Sequence, residues 1–236
     1  MRLNQYIAAA GICSRREADK LIASGQISIN GITATLGSKI DDGDTVTYNG
    51  DIITGQNETV VLAYYKPVGV VCTERDPHAS RTVLDEIDTD VRVTYAGRLD
   101  MDSEGLLILT NNGRLIDAMM KGSKQHEKEY LVEVDKDIDD AFIKALEGGI
   151  YLEALGVKTR PCKAQKTGAR SFDIVLTQGL NRQIRRMCRA LGFEVVRLKR
   201  IRVMTVDLKD FDLKPGEYVK LSTGQVKELM DACSLQ

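Results

Sequence analysis

Short apolar stripes and turn signals alternate over the first fifty residues. One helical face carries three apolar positions, namely Leu3, Ile7 and Ala10. Ser14 and Glu17 have the three-residue spacing of a capping box, which predicts the start of a second helix. Asn30-Gly31 follows an alternating segment and is a strong hairpin-turn signal. The pattern therefore predicts two short helices and a hairpin, which form a small domain over residues 1–50.

The pattern changes to β-rich segments from Thr59 onward. Strands are predicted at 60–65, 68–72, 106–110, 130–134, 171–177, 195–196 and 203–208. Helices are predicted at 115–120, 138–146, 182–191 and 225–232. Because these elements interleave without a regular βαβ repeat, we expect an α+β domain over 59–236, built on a mixed and largely antiparallel sheet. The polar, glycine-containing segment 51–58 is predicted to link the two domains.

The composition is that of a globular chain with little net charge. The 236 residues include 33 Lys and Arg against 34 Asp and Glu, and 43% are hydrophobic, which argues against disorder. No apolar run approaches the roughly 18 residues of a membrane span, and the N-terminus lacks a signal-peptide layout. Five cysteines without a C-x-x-C pair and two histidines favour neither disulfides nor a metal site. We therefore expect a cytoplasmic protein with reduced cysteines, no metal and no membrane contact.

Basic residues are concentrated in two stretches of the chain. Near the N-terminus the candidates for RNA contact are Arg2, Arg15, Arg16 and Lys20. Residues 182–202 hold eight basic side chains against Glu194 alone. Local basic patches on a nearly neutral chain suit a polyanion that binds at defined places. The alternative is that these charges occupy solvated helix faces.

The spacing of the acidic residues in segment 97–105 partly matches that of a calcium-binding loop. Asp100, Asp102 and Glu104 fall at positions 1, 3 and 5 of such a loop. The twelfth position is Asn111, where a calcium loop needs a bidentate glutamate. A calcium site is therefore disfavoured, and a plain acidic turn before a strand remains the structural alternative.

A catalytic interpretation of the same segment makes Asp100 a reactive carboxylate beside a phosphate-binding Arg98. A carboxylate can act as a nucleophile if it stays ionised in a pocket, which requires a nearby cation. Segment 178–187 runs from a strand through a glycine turn into a helix, so it can aim backbone N–H groups and Arg185 at an anion. The alternative is an amphipathic helix with its arginines in water, and both descriptions can hold together.

The N-terminal residues resemble the S4 RNA-binding domain. The pattern R-L-N-x-Y-I-A-x-A-G-I-x-S-R-R-x-A-D-x-L-I-x-x-G-x-I-x-I-N-G covers residues 2–31. This resemblance implies that the small helix–helix–hairpin domain binds RNA.

Four blocks in the rest of the chain resemble the RsuA family of bacterial pseudouridine synthases. The blocks are Lys66-Pro67-x-Gly69, G-R-L-D at 97–100, H-E-K-E-Y at 126–130 and Q-G-L-N-R-Q-I-R-R-M-C at 178–188. The last two are most similar to the RluF branch, which modifies large-subunit ribosomal RNA. The resemblance implies an isomerase that acts on a uridine of 23S ribosomal RNA without a cofactor. It leaves open whether a tRNA is a second substrate, and we expect a monomer.

The resemblance also implies roles for individual residues. Asp100 would be the nucleophile, Tyr130 would stack on the target base and receive the C5 proton, and Arg185 would orient Asp100 and keep it charged. For Tyr130 the alternative is a core aromatic at a strand start. The residues expected to line the RNA path are Arg98, Leu99, Met101, Leu180, Asn181, Arg182 and Gln183.

Two other classes of protein compete with this hypothesis. A non-catalytic RNA-binding or ribosome-assembly factor would also carry an S4 domain, and it would be indifferent to Asp100. A methyltransferase would need a cofactor pocket, but the chain has no G-x-G-x-x-G fingerprint.

Overall fold

A computed structural model of the protein describes residues 1–55, 58–73 and 81–235. The chain divides into two compact units. The first comprises Met1–Val60 with the short segments Thr89–Thr94 and Asn111–Gly113, and the second comprises the remainder. Two residues of the expected linker, at 56–57, lie outside the described residues.

Six α-helices form within the described residues. They are α1 (Leu3–Ala9), α2 (Arg15–Ala23), α3 (Gly113–Met120), α4 (Asp140–Glu147), α5 (Gln183–Ala190) and α6 (Thr223–Ala232). The described strands of the first unit are β1 (Ile27–Ile29), β2 (Ile32–Thr33), β3 (Val46–Tyr48) and β4 (Asp51–Ile52). Those that follow are β5 (Val61–Lys66), β6 (Thr94–Tyr95), β7 (Glu104–Thr110), β8 (Lys128–Val134), β9 (Tyr151–Leu152), β10 (Val157–Lys158), β11 (Lys163–Lys166), β12 (Ser171–Leu176), β13 (Val195–Val203), β14 (Val206–Asp207) and β15 (Tyr218–Lys220).

The first unit is the predicted pair of helices and a small sheet, in the order β2-β1-β3-β4. The hydroxyl of Ser14 caps α2 by accepting a hydrogen bond from the backbone N–H of Glu17 at 3.2 Å. Only half of the predicted capping box forms, because the Glu17 carboxylate pairs with Lys20 at 3.3 Å. β4 also corrects the predicted boundary, since its residues 51–52 belong to the sheet and not to a linker.

The second unit confirms the expected α+β fold around a largely antiparallel sheet. Its main strands run in the order β11-β12-β8-β13-β7-β5-β15, and only the β13–β7 pair on this path is parallel. Burial alternates along β8, where Val132 and Val134 are buried while Leu131 and Glu133 are exposed. The inward side chains share a core cluster with residues of α4 and α5, which fixes the position of α5 against the sheet.

Two strand predictions of the second domain need correction. Segment 68–72 was predicted as a strand but forms a turn with one isolated bridge, between Val71 and Thr82. Its Gly69 N–H donates instead to the carbonyl of Met101, at 2.8 Å. The two predicted strands at 195–196 and 203–208 also differ, because residues 195–203 form one continuous strand, β13.

Gly105 is the residue that lets β13 lie directly against β7. Its φ is +110°, and a Cβ at this position would lie 2.2 Å from the backbone oxygen of Arg200. Any other residue type would collide with the neighbouring backbone. The parallel register of Arg200 with Gly105 thus depends on this glycine.

Throughout residues 1–55, 58–73 and 81–235, the helices are too short or too polar to cross a lipid bilayer.

Candidate active site

The loop 98–103 connects β6 to β7 and carries the candidate nucleophile. Asp100 is partly exposed, with 36% of its side chain accessible, and Met101 is 57% exposed. Leu99 and Ser103 are buried on the other side of the loop. The loop therefore presents Arg98, Met101 and the partly exposed carboxylates of Asp100 and Asp102 to solvent, while Leu99 and Ser103 anchor it.

Backbone carbonyls of this loop accept hydrogen bonds from three surrounding elements. The carbonyl of Met101 accepts from the Gly69 N–H at 2.8 Å. The carbonyl of Asp102 accepts from Nη2 of Arg185, also at 2.8 Å. The carbonyl of Ser103 accepts from Nζ of Lys66 at 2.8 Å. Charged donors make stronger hydrogen bonds than neutral ones, so the loop is held by cations from β5 and α5.

Lys66 is fully buried beneath the loop, where its Nζ also donates to the carbonyl of Pro67 at 2.8 Å. Burial lowers the pKa of Lys66, although the nearby Cys72, Asp100 and Asp102 partly oppose that shift. The Sγ of Cys72 accepts a weak hydrogen bond from the Leu99 N–H at 3.4 Å. Leu99 was expected to line the RNA path, but burial directs its side chain into the protein.

A guanidinium–carboxylate cluster joins the loop to α5. Arg182 holds Asp102 through two hydrogen bonds, of 3.2 and 2.7 Å, which is the bidentate geometry that arginine favours. The same guanidinium lies 3.7 Å from an Oδ atom of Asp100. Arg185 lies 3.3 Å from Oδ1 of Asp102. The cluster therefore brings together the segments 97–105 and 178–188, as expected from sequence.

Arg185 and Arg182 are arranged differently from the expectation. Arg185 was expected to pair with Asp100, but its ion pair is with Asp102, and its Nη1 donates to the carbonyl of Val195 at 3.0 Å. Arg182 is the cation in the ion pair with Asp100. Arg182 precedes the first turn of α5 in a left-handed conformation, with φ of 51°, and this turn aims its side chain at both carboxylates.

The charges of the cluster change the titration of Asp102. Partial burial alone would raise the pKa of this carboxyl group. The hydrogen bond from Arg182 and the positive charges of Arg185 and Arg182 outweigh burial, so the pKa of Asp102 lies below its ordinary value. Asp102 is therefore held as an anion, and the hydrogen bond from its carboxylate raises the pKa of Arg182.

The turn before α5 divides the expected RNA-path residues into two groups. Asn181 and Arg182 are exposed, and Leu180 is partly buried. Gln183 is buried, and its Oε1 accepts from the Leu180 N–H at 3.1 Å. The expectation that Gln183 lines an RNA path is at odds with this burial, because the side chain closes the turn instead.

Tyr130 lies in the middle of the sheet, partly buried on β8. It is in register with Ile174 of β12 and Arg200 of β13. Arg200 donates from Nε to the carbonyl of Leu106 at 2.7 Å, and its Nη1 lies 3.5 Å from the carbonyl of Arg98. Arg200 thus connects the strand position beside Tyr130 with the loop that carries Asp100.

Sequence reasoning missed Arg200 and Lys128 as neighbours of the site. Arg200 is only 2% exposed. Burial and the positive charge of Arg200 together lower the pKa of Lys128, which is two residues from Tyr130 on β8. The R-L-K-R-I-R run at 197–202 was visible as charge, but its alternation alone does not show which arginine points inward.

The calcium-loop alternative does not agree with the positions of the acidic side chains. Glu104 accepts a hydrogen bond from the Tyr65 hydroxyl at 3.1 Å and pairs with Arg197 at 2.6 Å. Asp102 faces the arginines of the α5 region. Over the described residues, no cluster of three or more histidine, cysteine or acidic side chains is placed to hold a metal ion.

The four basic residues singled out in the first unit are all exposed. Arg2 precedes α1, Arg15 and Arg16 begin α2, and Lys20 follows one turn later. The described residues therefore place three cations on α2.

Comparisons with known proteins identify the class. Residues 60–190 match the family model described as RNA pseudouridylate synthase, and residues 1–46 match the S4 domain. A relative named dual-specificity RNA pseudouridine synthase RluF, from Escherichia coli O6:H1, is 44% identical over 97% of this chain and 78% of its own length. A relative named ribosomal large subunit pseudouridine synthase B, from Vibrio cholerae, is 36% identical over 100% of this chain and 76% of its own length.

A solved structure gives the same result for the fold. The crystal structure of a pseudouridylate synthase superimposes with a TM-score of 0.72 at 28% identity, and the match covers 97% of this chain and 99% of that one. The chain belongs to the RNA pseudouridylate synthase family and carries an S4 domain. It is thus an isomerase that acts on RNA, and the methyltransferase alternative is excluded.

Proposed function

We propose that this protein converts a specific uridine of 23S ribosomal RNA to pseudouridine, with Asp100 as the nucleophile. The observation that carries the proposal is the position of Asp100. Its partly exposed carboxylate lies on an anchored loop, with the Arg182 guanidinium 3.7 Å away. A nucleophilic carboxylate must be accessible to the substrate and needs a cation close by, and Asp100 has both the exposure and the neighbouring guanidinium.

The first step is extraction of the target nucleotide from its helix. A stacked uridine cannot reach a carboxylate in the protein, so the base must be flipped out at a cost of a few kcal/mol. The exposed side chains of Arg98 and Asn181 are suited to hold the backbone phosphates beside the flipped nucleotide, whereas the guanidinium of Arg182 is engaged by Asp102 and Asp100. Stacking of the base on Tyr130 offsets part of the cost.

The isomerisation itself needs no net gain or loss of atoms. Asp100 attacks the nucleoside, at the sugar or at the base, and the bond between N1 and C1′ breaks. The uracil rotates and rejoins C1′ through C5, and the bond that Asp100 formed to the nucleoside breaks, which regenerates the free carboxylate. The C5 proton then leaves through the Tyr130 hydroxyl, whose oxygen is proposed to accept it while the hydroxyl passes its own proton on, and N1 gains a proton, so that the net change is one proton lost at C5 and one gained at N1. The guanidinium of Arg182 lies beside Asp100 and Asp102, and that of Arg185 lies beside Asp102, so positive charge faces the carboxylates of the loop.

The substrate is proposed from the names of the relatives. One is a ribosomal large subunit pseudouridine synthase and another is a dual-specificity RNA pseudouridine synthase. The large-subunit name supports 23S ribosomal RNA, the dual-specificity name supports a second RNA substrate, and we propose tRNA as the second RNA to test. The exposed arginines of α2 would bind the phosphates of this RNA outside the catalytic domain.

Two properties of the whole protein complete the proposal. We infer a cytoplasmic location, because bacterial ribosomal RNA is the proposed substrate. A monomer is proposed because the basic surfaces are committed to RNA. Light scattering on the purified protein, with and without an RNA fragment, tests the oligomeric state.

The experiment that tests the function measures tritium release from RNA labelled at C5 of uridine, with no added cofactor. Transcripts of 23S ribosomal RNA, 16S ribosomal RNA and tRNA are compared. Asp100→Asn is expected to abolish release while RNA affinity stays within about tenfold, or ~1.4 kcal/mol. Asp102→Asn is the matched neighbour and is expected to lose less. Wild-type protein that binds 23S RNA without releasing tritium would instead indicate a non-catalytic assembly factor.

A further inference from the structure

Arg200 is a buried cation that contacts the start of the loop carrying Asp100 and the strand β7 that follows it. Its Nε donates to the carbonyl of Leu106, which follows the loop on β7, at 2.7 Å. Its Nη1 makes a longer contact of 3.5 Å with the carbonyl of Arg98, which begins the loop. One guanidinium therefore contacts Arg98, where the 98–103 loop begins, and Leu106, which lies within β7 beyond the end of the loop.

The backbone around Arg200 is fixed on both sides by strand pairing. On one side it is in register with Tyr130 of β8. On the other side it is in parallel register with Gly105 of β7, where only a glycine admits so close an approach. The planar fork of an arginine leaves few conformations once its backbone and two of its nitrogens are held. Arg200 is thus a rigid connection between Tyr130 and the Asp100 loop.

Burial of this guanidinium is costly, and its immediate electrostatic surroundings do not favour it. Removing such a charge from water costs several kcal/mol, and apolar replacements of buried charges are often neutral or stabilising. Within the described residues Arg200 makes no ion pair, and Lys128 is a cation close enough to have its pKa lowered by Arg200. In return the buried charge makes one short and one long hydrogen bond, both to backbone carbonyls, and we infer that stability alone does not account for an arginine at this position.

We propose that Arg200 is a positioning residue, which holds the Asp100 loop at the distance from Tyr130 that the reaction needs. It acts through the backbone carbonyls of Arg98 and Leu106 and does not touch the substrate. The inference rests on the proposed role of Asp100, because positioning matters only if Asp100 reacts. Small displacements of a catalytic group can cost about a hundredfold in rate, so the loss should appear in the chemical step.

The test compares Arg200→Met and Arg200→Lys with Leu198→Ala, in the full-length protein. Leu198 is a buried residue of the same strand, β13, that packs in the apolar core. Leu198→Ala therefore destabilises β13 without changing a charge or a contact of the loop. Single-turnover rates with saturating 23S RNA, RNA Kd values and thermal unfolding midpoints are measured for each variant.

We expect Arg200→Met to lose about 30-fold or more in single-turnover rate, with an RNA Kd within about threefold of wild type. Arg200→Lys is expected to recover part of the rate, because it keeps the charge and one donor. Leu198→Ala is expected to keep its rate while losing stability. If rate losses follow stability in all three variants, or if the loss lies in the RNA Kd, the proposal is overturned.

Two further outcomes keep this inference separate from the proposed function. If Asp100→Asn abolishes turnover while Arg200→Met keeps the wild-type rate, the positioning role fails and the function stands. If Asp100→Asn keeps turnover, the proposed role of Asp100 fails first. If Arg200→Met does not fold, the test rests on Arg200→Lys. A wild-type rate in Arg200→Lys then contradicts the positioning role.

Discussion

Arg185 holds Asp102 at two points, through a 2.8 Å hydrogen bond from Nη2 to the backbone carbonyl and a 3.3 Å ion pair between Nη2 and Oδ1. The same side chain reaches the carbonyl of Val195 with Nη1. A guanidinium can make these contacts at once because its donors are spread over a rigid plane. Arg185 therefore fixes the exit of the Asp100 loop to α5 and β13.

Arg185→Lys should lower turnover although it keeps the charge. A lysine ammonium cannot span the carbonyls of Asp102 and Val195 simultaneously, so we expect a loss of about 10- to 100-fold in single-turnover rate. Arg189→Lys, on the same helix, is the matched control, because Arg189 is exposed and, among the residues that the structure describes, its ion pair is with Glu194 alone. Equal effects of the two substitutions would contradict a special role of Arg185.

The ion pairs of Asp102 predict a dependence of stability on pH. Because the pKa of Asp102 is lower in the folded protein than its ordinary value of 3.8, its stabilisation is present above that value and is lost as pH falls through the folded pKa. Wild type should thus exceed Asp102→Asn in unfolding free energy at pH 7. The difference should be below about 1 kcal/mol, since both Asp102 and Arg182 are two-fifths exposed and solvent screens the pair.

Urea unfolding of the two proteins at pH 7 and at about pH 3 measures this difference. The gap between wild type and Asp102→Asn is expected to narrow at the lower pH. A gap that stays constant between the two pH values would show that Asp102 stabilises the fold without its charge.

Gly105→Ala should strongly destabilise the second domain. The added Cβ would lie 2.2 Å from the Arg200 oxygen at a backbone φ of +110°, so β7 and β13 must separate. We expect a loss of about 3 kcal/mol or more in unfolding free energy. Gly113→Ala is the control, because a Cβ there meets nothing within 4 Å and α3 begins at that residue. Similar unfolding midpoints for the two variants would contradict the close packing of β13 on β7.

The sequence predicted those parts of the fold that have a local cause. The capped start of α2 and the turn at Asn30-Gly31 follow from side chains within a few residues. The strand prediction for segment 68–72 was wrong. Its apolar residues suggest a strand, but the Gly69 N–H donates a hydrogen bond to the carbonyl of Met101 and not to a neighbouring strand. That hydrogen bond joins residues far apart in sequence, and local pattern contains no information about it.

In the candidate site, too, the sequence predicted the features with a local cause and missed those set by long-range contacts. The motifs identified Asp100 and the basic turn before α5, because both are short segments with characteristic residues. The pairing of Arg182 with Asp100 and of Arg185 with Asp102 is decided by distances of a few ångströms. Arg200 was missed because its burial depends on the parallel pairing of β13 with β7. Such long-range pairing is a property of the assembled sheet.

Tyr130→Phe tests whether the phenol hydroxyl takes part in the reaction. The aromatic ring would remain available for stacking, so RNA affinity should stay within about threefold of wild type. Loss of the hydroxyl should slow single-turnover tritium release by about a hundredfold, which is typical of a lost acid–base group. Tyr95→Phe is the control for removing a phenol from the same domain. A wild-type rate in Tyr130→Phe would restrict Tyr130 to stacking.

The exposed arginines at the start of α2 predict the salt dependence of RNA binding. If Arg15 and Arg16 each neutralise a phosphate, replacing both with Ala should reduce the slope of log K against log salt by about 1.4 to 1.8. Turnover at saturating RNA should change little, because the chemistry belongs to the second unit. Lys209→Ala is the control, since Lys209 is exposed and pairs with Asp207 outside α2. An unchanged salt slope in the double variant would show that the RNA does not contact this end of α2, and that the S4 domain binds through another surface.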